Sequence, residues 1–409
     1  DFYQLGFAYY QTKQYEKAVS QFVEIANEKS KLGQNANNYL ANSYLQIDNS
    51  NGARTAFKRT AEMSFLPDLA EEAYFNYGKL SAEMAFDREA LNTLKNIEPS
   101  SVYFAEAQQI LSHILQNTKD YGEALRFIEE LEMQSLLMQT SYQRIAYYYA
   151  MQYLVDGEKL DALDNFNKSL KFPREDKITA QTYYRLADLD HESKRYQQSI
   201  TKLNKYFSLV KTGISLPKDA DEAYANYLQA YNYLKLENYT SARTYFESAA
   251  NDFKNDASRK KLAMDATLRA GDSYFRINAY EDAIKFYNQA INLRGQGADY
   301  ALYQRGVLQG LLGRPFEKLV SLDELIDKYP SSPLADFALF QNGETLQAIG
   351  EASEAERSFK SILDNYKNST LRNRVLLKLG LISFNQGNLN EAIRYYKQLF
   401  SYNPKAKES

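Results

Sequence analysis

One pattern that returns about every 37 residues constrains this chain more than any other feature. A typical copy has a small residue, then an alanine, and an apolar side chain four residues after that alanine. Alignment on the alanine position gives eleven copies, separated by 34 to 43 residues. The aligned positions are Ala18, Ala53, Ala90, Ala124, Ala162, Ser199, Ala242, Ala283, Lys318, Ala355 and Ala392. Self-similarity at this period predicts a helical solenoid.

The residue types within a copy predict two helices joined by short turns. A small residue such as Gly6, Gly343 or Gly380 marks the place where the two helices cross closely, because a larger side chain would push them apart. The alanine and the apolar residue four positions later, such as Ala355 and Phe359, lie on one stripe of the second helix. We therefore expect an all-α, right-handed superhelix of about eleven helix-turn-helix units.

The repeated pattern resembles the tetratricopeptide repeat family over essentially the whole chain. The family's first-helix tryptophan is absent, and several units have 37 residues where the family has about 34. The later units carry Tyr-Pro-Ser-Ser-Pro at 329–333 and a weaker copy of that junction at 365–369. In this they are similar to the envelope repeats of outer-membrane assembly lipoproteins and of the Tol-Pal-associated coordinator of cell division.

This resemblance implies a scaffold in the periplasm or at the outer membrane of a Gram-negative bacterium. The composition, rich in asparagine and tyrosine, suits a Bacteroidetes source. A cytoplasmic scaffold is the alternative. The chain begins inside a repeat at Asp1, so we expect a segment of a longer protein whose targeting sequence lies elsewhere.

Two long spacings of 43 and 41 residues interrupt the regular period. The first falls at 211–221, where Gly213 and Pro217 favour a break in the helical array. We therefore divide the chain into an N-terminal half of about six units, 1–216, and a C-terminal half of about five units, 217–409. Pro404 follows the last unit as a helix-stopping residue.

Composition argues against several kinds of partner. The 49 basic and 52 acidic residues give a formal charge of −3, without the basic stripe that nucleic-acid binding requires. The densest basic piece, Arg259-Lys260-Lys261, is interpreted as a solvated turn between helices. Cysteine is absent, which excludes thiolate chemistry, and no apolar run approaches the length of about 20 residues that spans a bilayer.

The sequence favours a protein that is not an enzyme and has no cofactor or metal. The two histidines, His113 and His191, lie in different units. Asp188, His191 and Glu192 share one helix but find no matching ligand in the next, and a metal needs three or four converging ligands. Neighbouring carboxylates such as Glu71 and Glu72 point about 100° apart, and no phosphate loop or nucleophile motif is present.

The first helix of each unit is expected to line a concave wall. The wall is rich in aromatic residues, and tyrosine is favoured at binding hot spots because it supplies rigid area and a hydroxyl. The predicted partner-binding residues are Tyr147, Tyr184, Tyr224, Tyr227, Tyr231, Tyr300, Tyr303 and Phe340. For any single one of them, packing against the next unit is the alternative interpretation.

These observations predict a scaffold that binds a peptide or a folded envelope protein in its groove, as a monomer. A glycan-binding solenoid is an alternative, favoured if Tyr224, Tyr227, Tyr300 and Tyr303 form a flat exposed platform. A self-associating structural protein is another, and concentration-dependent light scattering would distinguish it.

Overall fold

The computed structural model describes residues 1–131 and 135–402 of the chain. All regular structure within these ranges is helical, with 22 α-helices, two short 3-10 helices and no strand. The all-α prediction is therefore confirmed. Pro404, the predicted helix-stopping residue after the last unit, lies outside the described residues. No helix in these ranges combines the length and the apolar character needed to cross a bilayer.

The helices follow one another with short connections. The first ten are α1 (Phe2–Gln11), α2 (Tyr15–Ile25), α3 (Lys31–Gln46), α4 (Ser50–Ala61), α5 (Pro67–Glu83), α6 (Asp87–Leu94), α7 (Phe104–Asn117), α8 (Tyr121–Glu130), α9 (Leu136–Asp156) and α10 (Lys159–Ser169). The others are α11 (Asp176–Glu192), α12 (Tyr196–Val210), α13 (Glu222–Lys235), α14 (Tyr239–Phe253), α15 (Lys260–Arg276), α16 (Tyr280–Leu293), α17 (Ala298–Leu311), α18 (Pro315–Lys328), α19 (Ala335–Ala348), α20 (Ala352–Asn365), α21 (Arg372–Asn385) and α22 (Leu389–Tyr402).

These helices form eleven consecutive pairs, and every aligned alanine-type position lies in the second helix of its pair. The predicted solenoid of about eleven units is thus confirmed as a series of helix pairs. The turn inside a pair has a constant backbone. In ten of the eleven described pairs, the residue five before the aligned position has a positive φ, for example Lys13 at 59° and Gly350 at 93°.

The predicted close crossing of the two helices is present. A Cβ placed on Gly343 would lie 2.7 Å from the Phe359 ring, and one on Gly380 would lie 2.5 Å from the Tyr396 ring. Phe359 and Tyr396 are the apolar residues four positions after the aligned alanines, so they pack directly on the glycines. A small residue is needed at the crossing because the facing ring fills the space of its missing side chain.

The side chain seven residues before the crossing position ties one pair to the turn that follows it. Gln34 is fully buried, and its Nε2 lies 2.7 Å from the Met63 oxygen and 3.1 Å from the Thr60 oxygen. Its Oε1 accepts the Leu66 N–H at 2.8 Å. Gln143 holds the equivalent position, and its Oε1 accepts the N–H groups of Arg174 and Glu175 at 2.9 and 2.8 Å. We call these side chains clasps.

Aspartates act as the clasps in later pairs. Ser332 donates to Asp299 Oδ2 at 2.6 Å and accepts the Leu334 N–H at 3.1 Å. Ser369 repeats this arrangement, with Asp336 at 2.6 Å and the Leu371 N–H at 3.1 Å. The junction at 365–369 is therefore a structural copy of the one at 329–333, as its sequence suggests.

The chain divides into two compact units. The first contains Asp1–Leu186 and Lys211–Ile214, and the second contains Ala187–Val210 and Ser215–Ser409. This division falls within α11, upstream of residue 217, where the sequence pattern places the boundary between the halves 1–216 and 217–409. A change in the regularity of the array at residue 217 stays a prediction.

Candidate functional site

The first helices of the pairs in the second unit carry most of the predicted binding residues. Helices α13, α15, α17, α19 and α21 are joined along the series by side-chain contacts, such as Lys378 with Glu344 at 3.0 Å. We call this surface the first-helix wall. Five of the eight predicted residues, all tyrosines, lie on it half-buried. They are Tyr224, Tyr227, Tyr231, Tyr300 and Tyr303.

The other three predicted residues are buried, so their side chains do not line an open surface. Tyr147, Tyr184 and Phe340 are 4 %, 6 % and 2 % exposed. Each lies three residues before its crossing position, as the half-buried Tyr227 and Tyr303 do, so packing by neighbouring side chains covers these rings rather than helical position alone. Tyr147 lies 5.8 Å from the Phe166 ring, and Phe340 lies 5.6 Å from the Phe359 ring. The expectation that this position faces the groove is corrected for these three residues.

A polar network at the centre of the wall begins on α15. Asp265, Arg269 and Asp272 follow at intervals of four and three residues, so they lie on one helical face. Arg269 bridges the two carboxylates, with Nε 3.4 Å from Asp265 Oδ1 and Nη1 2.7 Å from Asp272 Oδ2. One guanidinium therefore fixes the orientation of both carboxylates.

Four tyrosine hydroxyls complete this network from three other helices. Tyr227 and Tyr231 of α13 donate to Asp265 Oδ2 at 2.6 and 2.5 Å. Tyr287 of α16 and Tyr300 of α17 donate to Asp272 Oδ1 at 2.8 and 2.9 Å. We call these seven residues the tyrosine–aspartate network. It connects three successive helix pairs through hydrogen bonds to charged groups, which are stronger than neutral ones.

Burial and the two carboxylates shift the pKa values of the tyrosines and the arginine in this network. Burial is the main cause that raises the pKa of the hydroxyls of Tyr227, Tyr231, Tyr287 and Tyr300, and the hydrogen-bonded aspartates add to it. Burial alone would lower the pKa of Arg269, but Asp272 and Asp265 outweigh it and raise that pKa. The tyrosines thus remain neutral donors, and the arginine remains charged.

Alkaline pH is expected to destabilise the second unit through these tyrosines. Folding raises their pKa above the unfolded value of about 10, so their stabilisation is complete below that pH. It is lost as pH rises through the folded values. We expect the melting temperature to fall more steeply between about pH 9 and about pH 11 in the parent than in Tyr227→Phe/Tyr231→Phe/Tyr300→Phe.

The matched control for this experiment replaces three tyrosines of the first unit, Tyr15→Phe/Tyr44→Phe/Tyr121→Phe. Its alkaline slope should equal that of the parent. Equal slopes for the parent and the network variant would show that these hydroxyls do not couple folding to pH.

Two wall tyrosines differ from the others because their hydroxyls are not used within the chain. Tyr224 and Tyr303 are half-buried, and their hydroxyls have no hydrogen-bond partner among the described residues. The Tyr224 ring packs under the Arg259 guanidinium at 4.9 Å. These two hydroxyls are therefore available to a bound molecule, while the rings are held in place.

Comparisons with known proteins identify the repeated unit. Family models described as tetratricopeptide repeat match residues 227–301, 300–332 and 374–405. These three stretches of the chain match tetratricopeptide repeats. It is also 22 % identical over 275 residues to a TPR repeat-containing protein of Methanocaldococcus jannaschii, covering 59 % of this chain. The matched region spans 47 % of that relative, so the chain corresponds to about half of its length.

Several solved structures are similar to parts of the chain. The crystal structure of MamA has 16 % identity and a TM-score of 0.38, and covers 46 % of this chain and 95 % of its own. YrrB, described as a TPR protein with an unusual peptide-binding site, has 19 % identity and a TM-score of 0.38 over 50 % of this chain and 94 % of its own. The apo form of RapI has 13 % identity and a TM-score of 0.37 over 65 % and 99 %.

The histidine that could have served a metal is used inside the repeats. His191 Nδ1 lies 2.7 Å from Asn232 Oδ1, and its ring meets the Tyr196 ring edge-on at 5.5 Å. Across residues 1–131 and 135–402, no group of three or more acidic or histidine side chains is placed to hold a metal ion. The polar contacts of His191 thus belong to the packing of one repeat on the next.

Two of the wall tyrosines, Tyr227 and Tyr300, meet their packing neighbours edge-on. Tyr227 lies nearly perpendicular to Tyr231, at 77°, and to Phe253, at 71°. Tyr300 lies at 79° to Tyr287. These angles are to packing neighbours, so a flat exposed platform of Tyr224, Tyr227, Tyr300 and Tyr303 stays a prediction.

The sequence analysis missed most of the tyrosine–aspartate network. It placed Tyr227, Tyr231 and Tyr300 on the wall, but it did not single out Asp265, Arg269, Asp272 or Tyr287 as binding residues. The available signal was the spacing Asp265, Arg269, Asp272, which places alternating charges on one helical face. Each aspartate accepts hydrogen bonds from two tyrosine hydroxyls. These tyrosines lie on other helices, so the spacing within α15 gives no sign of the bonds.

Proposed function

We propose that this protein is a non-enzymatic protein-interaction scaffold whose first-helix wall binds an extended segment of a protein partner. Tetratricopeptide repeats form stacked helix pairs, and such arrays bind through extended surfaces. The single observation that carries the proposal is the tyrosine–aspartate network. It holds the wall side chains of three successive repeats in fixed positions before any partner arrives.

Preorganised side chains favour binding because little conformational entropy is lost when the partner docks. Tyr227, Tyr231 and Tyr300 are fixed by their aspartates, and the Arg269 side chain is 38 % exposed between them. The free hydroxyls of Tyr224 and Tyr303 then supply hydrogen bonds to a peptide backbone. The wall therefore offers fixed aromatic edges and unused polar groups, a combination typical of peptide-binding surfaces.

A selection from a random peptide library tests this proposal directly. Peptides displayed on phage are selected on the immobilised protein, synthesised with a fluorescent label, and titrated by anisotropy. We expect the selected peptides to bind Tyr224→Phe/Tyr303→Phe about tenfold more weakly than the parent, since two hydrogen bonds of about 0.5–1.5 kcal/mol each are lost.

The control is Tyr233→Phe, on the same helix as Tyr224 but with its ring stacked on Tyr245 at 5.6 Å. It should bind the selected peptides as the parent does. Equal affinity for all three proteins would show that the peptides bind at a surface other than the first-helix wall. Failure to select any peptide would count against a peptide-binding scaffold.

An envelope location is part of the same proposal. Its support is the resemblance of the junction at 329–333 to that of envelope repeat proteins, with the copy at 365–369. Fractionation of the source cells, followed by detection of the native protein in periplasmic, outer-membrane and cytoplasmic fractions, tests this location. We further propose that the scaffold acts as a monomer, and light scattering over a range of concentrations distinguishes this from self-association.

A further inference from the structure

A basic cavity lies beside the tyrosine–aspartate network, where the end of α14, the start of α15 and the loop between α16 and α17 meet. Its volume is about 450 Å³. Asp265 lines it and also belongs to the network, so the cavity continues the first-helix wall. Pockets of about 300–1,000 Å³ accommodate small ligands or a few side chains of a peptide.

The floor of this cavity is apolar. Met264 and Leu268 of α15 are 4 % and 7 % exposed and lie beside Ala263 and Leu293. The loop glycines pack closely on this floor. A Cβ on Gly297 would lie 2.8 Å from Leu268, and one on Gly295 would lie 3.1 Å from Met264. The floor therefore suits an apolar side chain of a ligand.

The rim of the cavity is strongly positive. Four exposed cations line it, Lys254, Lys260, Lys261 and Arg294, against the single carboxylate of Asp265. Lys260, Lys261 and Arg294 have no ion-pair partner among the described residues. The charge of Asp265 is already engaged by Arg269 and two tyrosine hydroxyls.

The basic run Arg259-Lys260-Lys261 is thus split between two roles, which corrects its interpretation as a solvated turn. Arg259 is 8 % exposed, contacts Asp221 at 2.7 Å and donates to the Lys218 oxygen at 2.6 Å. It holds the preceding loop in place. Lys260 and Lys261 stay unpaired and extend to the cavity, although the protein as a whole has a formal charge of −3.

The loop that presents Arg294 is also unusual in its backbone. The other non-glycine residues with positive φ lie in the turns inside helix pairs, whereas Arg294, with φ 50°, follows the second helix of its pair. A left-handed conformation is unfavourable for a long side chain. It nevertheless carries the guanidinium to the rim of the cavity.

We propose that this cavity binds an acidic segment of the partner protein, in which carboxylate side chains flank an apolar one. The carboxylates pair with Lys260, Lys261 and Arg294, and the apolar side chain lies on Met264 and Leu268. This inference rests on the proposed function and specifies the chemistry of the partner. An apolar floor within a cationic rim favours such a peptide over a phosphate or a nucleic acid, which lack the aliphatic group.

The test uses a fluorescein-labelled decapeptide of alternating glutamate and leucine, titrated by anisotropy into the full chain at about 50 mM and about 200 mM salt. We expect binding at the lower salt that weakens at the higher one. The variant Lys260→Glu/Lys261→Glu should bind at least tenfold more weakly. Lys367→Glu/Lys397→Glu makes the same change in net charge at exposed lysines elsewhere, and it should bind as the parent does.

Two further probes test the floor and the class of ligand. A peptide of alternating glutamate and serine should bind at least fivefold more weakly than the leucine peptide. A single-stranded oligothymidine of equal charge should bind no better than the serine peptide. Equal binding of all three probes, or equal loss in both charge-reversal variants, would show a non-specific field effect and overturn the proposal. Melting curves of each variant establish that it is folded.

The outcome of this titration can be distinguished from the outcome of the phage selection that tests the scaffold. If phage-selected peptides bind through Tyr224 and Tyr303 but are not acidic, and the glutamate–leucine peptide does not bind, the scaffold stands and the acidic partner is refuted. If neither kind of peptide binds, both proposals fail.

Discussion

Replacing Asp272 by alanine is expected to lower the free energy of unfolding of the second unit by about 4 kcal/mol. The Asp272 side chain is only 19 % exposed and accepts hydrogen bonds from Tyr287 and Tyr300. Tyr287 has no exposed surface, so its hydroxyl would lose its partner without gaining water. Arg269 would lose its shorter ion pair, at a smaller cost because it is partly solvated.

Hydrogen exchange of the amides of α15 to α17, together with thermal unfolding, measures this loss. Asp282→Ala is the matched control, because Asp282 is 46 % exposed and pairs only with Lys285 within the same helix. It should change stability by less than about 0.5 kcal/mol. A loss in Asp272→Ala no greater than in this control would mean that the network contributes little to the fold of the wall.

Replacing Gln34 by leucine is expected to lower the free energy of unfolding of the first unit by about 3 kcal/mol. The substitution introduces an apolar side chain of similar size and removes the amide that bonds the Met63 and Thr60 oxygens and the Leu66 N–H. These backbone groups lie in a turn between helix pairs, and leaving each one unsatisfied costs about 1–3 kcal/mol.

The neighbouring residue Asn35 provides the control, because its side chain bonds only to the Lys31 oxygen one turn away. Urea unfolding of Asn35→Leu should match that of the parent, while Gln34→Leu should unfold at a clearly lower concentration with faster amide exchange in α4 and α5. Coincident curves for both variants would refute the clasp as a stabilising device.

Much of the fold could be predicted from the sequence because similar local contacts recur in the eleven copies of the repeat. A glycine such as Gly343 and the ring of Phe359 form a contact within a single pair, so both partners lie within one period of the pattern. Helix number, pairing and the close crossing could therefore be predicted. The positive φ of Lys13 and Asp48 could not be predicted. A glycine at these positions would have indicated a left-handed conformation, but a lysine or an aspartate does not.

The candidate site was harder to predict because its contacts run between repeats. The position three before the crossing is buried at Tyr147 and Phe340. It is only half-buried at Tyr227 and Tyr303. Helical spacing gives the direction of a side chain to within a face, but not whether a neighbouring repeat covers it. Burial at this position depends on long-range packing that the period does not encode.

The clasps give the array a direction. Gln34, Gln143, Asp299 and Asp336 each close a turn that lies further along the chain, and the bond always runs from an earlier pair to a later one. During synthesis the closing side chain is therefore made before the turn that needs it. Shortening the array from its start would leave the backbone groups of a turn without their clasp, whereas shortening it from its end would leave a clasp side chain without its turn.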